Sequence, residues 1–196
     1  MVQKPGSARD PVASAADPEA VLVARIAKGD QGAFAEFYVQ YRRRLARFLG
    51  RFLNSADTVD ELINDVMFVV WQDAARFEFR SRVSTWVFGI AWHKALKALE
   101  RQKRGAAATT RLPDELPAAG RTSLEVRDWL RHGLDRLPAE QRLVVELTFF
   151  MGCSYGEIAE IARCPVNTVK TRMFHARQKL QGILRSLENV IPEVHS

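Results

Sequence analysis

Three stretches of this 196-residue chain carry residue types and spacings suited to recognition rather than catalysis. Residues 163–185 hold six bases and no acid: Arg163, Lys170, Arg172, Arg177, Lys179 and Arg185. Within that stretch Asn167, Lys170, Thr171, Phe174, His175 and Gln178 recur at three- and four-residue steps, which places them on one side of a helix. Asn167, Lys170, Thr171 and His175 carry donors and acceptors that match base edges, while Lys170, Arg172, Arg177 and Lys179 suit phosphates. Phe174 is an aromatic on a polar face; it meets a thymine methyl or a sugar, or packs on a neighbouring helix. Residues 76–104 hold eight bases against Glu78 and Glu100, interleaved with Phe77, Phe79, Trp86, Phe88 and Trp92. Stacking surfaces beside cations are what unpaired bases require. Residues 57–73 reverse the sign, with Asp57, Asp60, Glu61, Asp65 and Asp73 and no base. That stretch cannot bind nucleic acid; it is a solvated face or a docking face for a basic protein.

The formal net charge of +6 is the remainder after these blocks cancel, and on its own it identifies no partner. Enzyme chemistry is not expected. The four His and two Cys lack metal-ligand spacing, no glycine-rich phosphate loop is present, and no nucleophile–base pair stands out. No catalytic residue, metal, cofactor or small-molecule substrate is therefore assigned. Cys153 and Cys164 read as two small buried thiols rather than a redox switch. No run approaches the roughly 20 apolar residues of a membrane span, and residues 1–17 do not form a secretory signal. The expectation is a cytoplasmic protein without stable membrane insertion.

The spacing of apolar residues supplies helices to position these groups, and no convincing strand. Asp17-Pro18 provides an N-cap and a first-turn proline, and Gly29 closes that short helix. Asp30 caps a longer one, with Phe34, Phe37, Tyr38, Tyr41, Leu45, Phe48, Leu49 and Phe52 as a continuous stripe. Arg42, Arg43, Arg44, Arg47 and Arg51 fall mostly on its other faces, as a largely solvated surface. A third helix spans about 56–75, with Val59, Leu62, Ile63, Val66, Met67 and Val70 inward. Asp57, Asp60, Glu61, Asn64 and Asp65 then face outward. A loop at 76–84 leads to a fourth helix, about Ser84 to Arg104, with Trp86, Phe88, Ile90, Trp92, Ala95 and Leu99 as its apolar residues. Trp86 and Phe88 are two apart and cannot share a face, so at least one belongs to the core.

Periodicity disappears between 105 and 122, where Ala, Thr, Pro and Gly make a linker. Helical spacing resumes with Val126, Trp129, Leu130, Leu134 and Leu137. Pro138 starts a helix bearing Leu143, Val144, Leu147 and Phe150, which Gly152 ends. Ser154-Tyr155-Gly156-Glu157 is a capping box opening a helix with Ile158, Ala159, Ile161 and Ala162. A turn at Arg163-Cys164-Pro165 precedes a second helix, from Val166 or Asn167 to about Leu187. Its inward residues are Val169, Met173, Ala176, Leu180, Ile183, Leu184 and Leu187. A short helix, a tight turn and a second amphipathic helix form a helix-turn-helix. The fold expected is all-α, with two small helical domains joined by a flexible linker and the helix-turn-helix in the second. The expected boundaries are a tail at 1–17, a bundle at 18–104, the linker at 105–122, the second domain at 123–187 and a tail at 188–196.

In this order the pieces resemble bacterial RNA polymerase sigma factors of the extracytoplasmic-function group, over roughly residues 20–185. The carriers are AKGDQGAFAEFYVQY, VDELINDVMFVVWQDAARF, STWVFGIAWHKALKALERQKR, LDRLPAEQRLVVELTFFMGCSYGEIAEIA and CPVNTVKTRMFHARQKL. The resemblance implies a promoter-directing initiation factor, with region 2 at residues 20–104 and region 4 at 123–187. It implies docking to core RNA polymerase through Asp60, Glu61, Asn64 and Asp65. It implies that Arg80, Ser81, Arg82, Trp86, His93, Lys94 and Lys97 hold the melted −10 strand. The −35 duplex then falls to Asn167, Thr168, Lys170, Thr171, Arg172, Phe174, His175 and Arg177. It also implies a linker that threads toward the polymerase active-site channel and an anti-sigma factor as a partner. Two departures are visible. Asp60-Glu61-Leu62-Ile63-Asn64 stands where the family has Glu-Asp-Leu-x-Gln, and His93 replaces an Asn, which changes the donors and acceptors offered to the −10 element.

Two other readings of the residues are a helix-turn-helix regulator that does not join polymerase, and an adaptor whose basic helices bind anionic lipid. The first needs an effector or phospho-acceptor domain in the first half, where no α/β pattern is present.

Overall fold

The structure is a computed structural model that describes residues 17–106 and 133–188, with side chains to 104 and from 133 to 183. The tail before Asp17, the linker at 107–122, Val126, Trp129 and Leu130, the side chains of Leu184 and Leu187, and the tail after Glu188 lie outside the described residues. Among the described residues the elements are helical and none is a strand. They are α1 (Pro18–Ile26), α2 (Gln31–Leu49), α3 (Ala56–Asp73), a 3-10 turn (Ala74–Arg76), α4 (Val83–Ala106), α5 (Ala139–Phe149), α6 (Tyr155–Ala162) and α7 (Val166–Glu188). The chain divides into two compact units between Ala95 and Leu96, inside α4.

In the first unit, side-chain oxygens start each of the first three helices by accepting amides left open in the first turn. Asp17 accepts from the Glu19 amide at 3.0 Å, Asp30 from Ala33 at 3.0 Å and Ser55 from Thr58 at 3.2 Å. The Ala33 amide and the Arg25 guanidinium hold the Asp30 carboxyl below the usual carboxylate range. Gly29, at φ +82°, takes the left-handed turn between α1 and α2.

The core of this unit is Val23 and Ile26 of α1, Phe37, Tyr41, Leu45, Phe48 and Leu49 of α2, and the six inward residues expected on α3. On α4 the buried stripe is Val83, Val87, Phe88, Ala91, Trp92 and Ala95. Trp86, Ile90 and Leu99, expected among the apolar contacts, are only half-buried, because positions 86 and 90 fall to one side of that stripe and 99 lies beyond its last buried residue. Phe88 settles against Phe48 (5.2 Å) and Trp92 against Phe52 (5.3 Å), both edge-on. Arg44 departs from the solvated arginine surface. Its guanidinium lies 4.5 Å over the Tyr41 ring and pairs with Glu19 at 2.6 Å, and Glu19 also accepts from the Tyr41 hydroxyl at 2.6 Å. Burial, reinforced by the Glu19 carboxylate, pushes the Tyr41 hydroxyl far above the usual phenol range. This clasp fastens α1 to α2.

In the second unit α5 is buried on every side from Leu143 to Leu147, which makes it the central helix. Leu134 and Leu137 precede it in the core; Ile158, Ala159 and Ile161 of α6 and Val169, Met173 and Ala176 of α7 pack with it. Glu146 lies within that run at 1% exposure, its Oε1 3.7 Å from Arg142 Nε, and Arg142 also pairs with Asp135. A paired carboxylate can be buried where a lone one cannot. Phe150, expected on the apolar stripe of this helix, instead caps it and stays exposed beside Phe149.

Candidate nucleic-acid interfaces

Helix α6 is fixed at its start by the capping box. The Glu157 amide donates to Ser154 Oγ (3.3 Å), and the Ser154 amide donates to Glu157 Oε2 (2.8 Å). Arg163 then adopts φ +49°, while its amide and that of Cys164 close onto Glu160 and Ala159 carbonyls at 3.2 and 3.0 Å. Pro165 follows, and its carbonyl accepts the first α7 amides, from Thr168 and Val169. The turn therefore needs no residues beyond 163–165, and α7 emerges with its direction set.

With Val169, Met173 and Ala176 inward, α7 leaves Asn167, Lys170, Thr171, Phe174, His175, Arg177 and Gln178 exposed. The structure thus brings together most of the expected −35 residues on one face. The Thr171 hydroxyl donates to the Asn167 carbonyl at 3.0 Å, which fixes its orientation. Phe174 is 57% exposed, and its ring meets the edge of His175 at 5.6 Å rather than the core. Thr168 is half-buried. Arg172 is not brought to the face: its guanidinium turns toward α5, 3.3 Å from Glu140, and lies 3.6 Å from Cys164 Sγ. Cys153 and Cys164 are half-buried and not joined in a disulfide, less enclosed than expected.

In the first unit, Trp86 stacks on Phe77 with centroids 4.5 Å apart and planes at 17°, and Phe79 closes on Phe77 at 4.8 Å. Phe79 takes φ +54°, a strained position for a side-chain-bearing residue. Asp73, Arg76, Phe77, Glu78, Arg80, Ser81 and Trp86 line a cleft of about 400 Å³. Three of the expected −10 residues, Arg80, Ser81 and Trp86, therefore share one cleft, with Arg80 held by Glu78 at 2.6 Å. Arg82 is exposed at the start of α4. His93 lies seven residues after Trp86, two turns along the same side of the helix. Its Nδ1 donates to the Gly89 carbonyl at 2.7 Å, so in the neutral ring Nε2 is the acceptor. Lys94 is not free; its ammonium sits 2.8 Å from Asp65. Lys97 is exposed one turn further on.

All four expected docking residues, Asp60, Glu61, Asn64 and Asp65, are exposed on α3. Asp60 pairs with Arg42 at 3.6 Å, and Asn64 accepts from the Tyr38 hydroxyl at 3.0 Å. Glu61 has no hydrogen-bond or ion-pair partner among the described residues. Beside Asn64 lies an apolar groove that the sequence reading missed, lined by Phe34, Tyr38, Met67, Phe68 and Trp71, with Phe68 59% exposed. The signal was the position of Phe68, an aromatic directly after the inward pair Val66-Met67 on α3 and off the buried stripe. Among the described residues no cluster of His, Cys, Asp or Glu has the makings of a metal site, and no helix is long and apolar enough to cross a membrane.

Known proteins match this arrangement in the same order. Residues 37–105 match the family described as Sigma-70 region 2, and residues 127–180 match Sigma-70, region 4. The chain is 30% identical to the ECF RNA polymerase sigma-E factor of Escherichia coli (strain K12), over 85% of this chain and 94% of that protein. It is also 30% identical to the ECF RNA polymerase sigma factor SigM of Mycobacterium tuberculosis, over 85% and 84% respectively. Among solved structures it resembles CnrH, seen in complex with the cytosolic domain of CnrY, with a TM-score of 0.66 and 26% identity over 87% of this chain and 99% of that one. The fold also matches the sigma factor RpoE of Bartonella quintana, solved with the anti-sigma factor NepR, with a TM-score of 0.62 and 24% identity over 78% and 96%. The chain belongs to the ECF RNA polymerase sigma factors, a family of non-enzymatic transcription initiation factors.

Proposed function

We propose that this protein binds core RNA polymerase in the cytoplasm and directs it to promoters through three separate surfaces. The recognition helix α7 carries the reading furthest. Its exposed row of Asn167, Lys170, Thr171, Phe174, His175 and Arg177 projects from a capped helix-turn-helix. A helix about 10–12 Å across with its side chains fits a major groove about 12 Å wide. There Lys170 and Arg177 meet phosphate, Asn167, Thr171 and His175 meet base edges of the −35 element, and Phe174 meets a thymine methyl or sugar. Duplex recognition positions the protein; it does not open the DNA.

Opening the −10 element exposes base faces, and the cleft at Phe77 and Trp86 offers an aromatic stack beside Arg80 and Ser81 to receive one. Arg82, Lys94 and Lys97 follow the phosphates, and His93 Nε2 accepts from an exocyclic amino group. Asp60, Glu61, Asn64 and Asp65 face a basic element of the polymerase. Residues 18–104 and 123–187 serve as the two functional domains in this scheme, joined by 105–122. Solved relatives are held by protein partners, one of them an anti-sigma factor, and we assign this chain the same kind of control.

In vitro transcription with purified core polymerase on a fragmented genomic library tests the whole assignment. The expected result is initiation from a small set of fragments that share two motifs. DNA binding without added transcription, or failure to copurify with core polymerase, would point to the regulator that never joins polymerase.

A further inference from the structure

One ion pair connects the docking surface of the first unit with its strand-binding surface. Asp65 lies on α3 with the other docking residues, and Lys94 lies on α4 with the −10 residues. The ammonium stands 2.8 Å from Asp65 Oδ2, and the Lys94 side chain keeps only 27% of its exposure. The other docking residues are held differently. Asp60 and Asn64 are engaged by Arg42 and Tyr38 of α2, and neither partner is a −10 residue. Glu61 has no partner among the described residues. Asp65 alone reaches across to a group assigned to the DNA.

A phosphate approaching Lys94 therefore meets an ammonium already neutralised by a carboxylate in contact with it, and that carboxylate repels the phosphate. A cationic side chain of a docked partner competes for the same carboxylate. We propose that Asp65 is a positioning residue that holds Lys94 back from single-stranded DNA in the free protein and releases it when the polymerase docks. Docking and strand binding then reinforce each other across this pair, and by linkage the coupling is reciprocal. The proposal rests on the assignment of α3 to polymerase and of Lys94 to the melted strand.

The test is a double-mutant cycle on the full chain with Asp65→Asn, Lys94→Met and their combination. A labelled single-stranded oligodeoxynucleotide is titrated in fluorescence anisotropy. Urea unfolding of each variant serves as the control for folding, and binding of a −35 duplex, which uses the other unit, checks that the effect is confined to the strand-binding surface. Asp65→Asn is expected to tighten strand binding about five-fold, a coupling at the low end of the usual range. The gain should shrink to less than half in the Lys94→Met background, because the released ammonium makes the new contact. At saturating core polymerase, the advantage of Asp65→Asn over the wild type should vanish, since docking has already freed Lys94.

An unchanged or weaker strand affinity for Asp65→Asn overturns the proposal. So does a gain of full size in the Lys94→Met background, which would reflect only the field of one carboxylate. If Lys94→Met also binds the strand as the wild type does, with core polymerase and without it, then Lys94 is not at the strand and its functional assignment fails too. If Lys94→Met weakens binding while Asp65→Asn does not tighten it, the assignment stands and the coupling alone is lost.

Discussion

In the first unit, two of the four cations proposed to hold the melted strand are occupied by acids of the protein itself, Arg80 by Glu78 and Lys94 by Asp65, and Arg76 at the cleft edge lies beside Asp73. On α7, Lys170, Arg177 and Lys179 have no ion-pair partner among the described residues, and only Arg172 is drawn inward, by Glu140. The two surfaces carry similar basic blocks yet offer different fields to DNA. The recognition helix presents bare charge and can attract a duplex from solution. The strand-binding surface has two of its four proposed cations neutralised, so its affinity depends more on stacking and on exchange of partners. Such an arrangement favours finding the duplex element before holding an opened one.

The contrast is most exposed at Trp86. Trp86→Ala removes the ring stacked on Phe77 and should weaken single-strand binding by about 2 kcal/mol, roughly thirty-fold, with −35 duplex binding unchanged. Equal losses on both DNAs would mean that the surfaces are not independent. Stability should divide in the same way. Arg44→Met leaves Glu19 half-buried without its guanidinium and should cost the first unit about 2 kcal/mol, after discounting for partial exposure. Urea unfolding should then show less than the sum of the single losses for Arg44→Met combined with Glu19→Gln, because both remove the same clasp.

Much of this contrast could not be read from the sequence, although the elements could. The stripe Val59, Leu62, Ile63, Val66, Met67 and Val70 was legible because a helical period fixes which residues turn inward, and the structure buries all six. The capping box at Ser154 was legible because both of its hydrogen bonds are local. Periodicity says which face a charge occupies and nothing about its partner. Asp65 and Lys94 are 29 positions apart, and their contact depends on how α3 and α4 pack. The same limit hid the burial of Glu146 beside Arg142 and the groove at Phe68. Trp86 and Phe88 were known to face differently, but only packing against Phe48 decided that Phe88 goes to the core.

The bare charge of α7 should appear in the salt dependence of duplex binding. Lys170→Ala is expected to weaken −35 binding about five-fold, about 1 kcal/mol, and to lower the slope of log affinity against log salt by about 1. Base preference should hardly change. Ser154→Ala, which removes the α6 cap without touching α7, should cost the second unit about 1 kcal/mol of stability and leave that slope intact. A changed slope would show that the orientation of α7 depends on the cap.

The smallest effect gives the sharpest test. Arg172 and Lys170 are two residues apart on a basic helix, and by sequence each is a phosphate ligand. In the structure one is exposed and the other faces Glu140 and Cys164. Arg172→Ala should therefore leave the salt slope at its wild-type value while lowering stability by about 0.5 kcal/mol, as expected for a partly exposed pair. Glu140→Gln should match that loss, and the double variant should add nothing to it. A slope lowered by about 1 for Arg172→Ala would show that the guanidinium leaves Glu140 for a phosphate when DNA binds. In that case both surfaces would work by exchanging an internal acid for DNA, and the difference between them would lie in how many cations are held back rather than in kind.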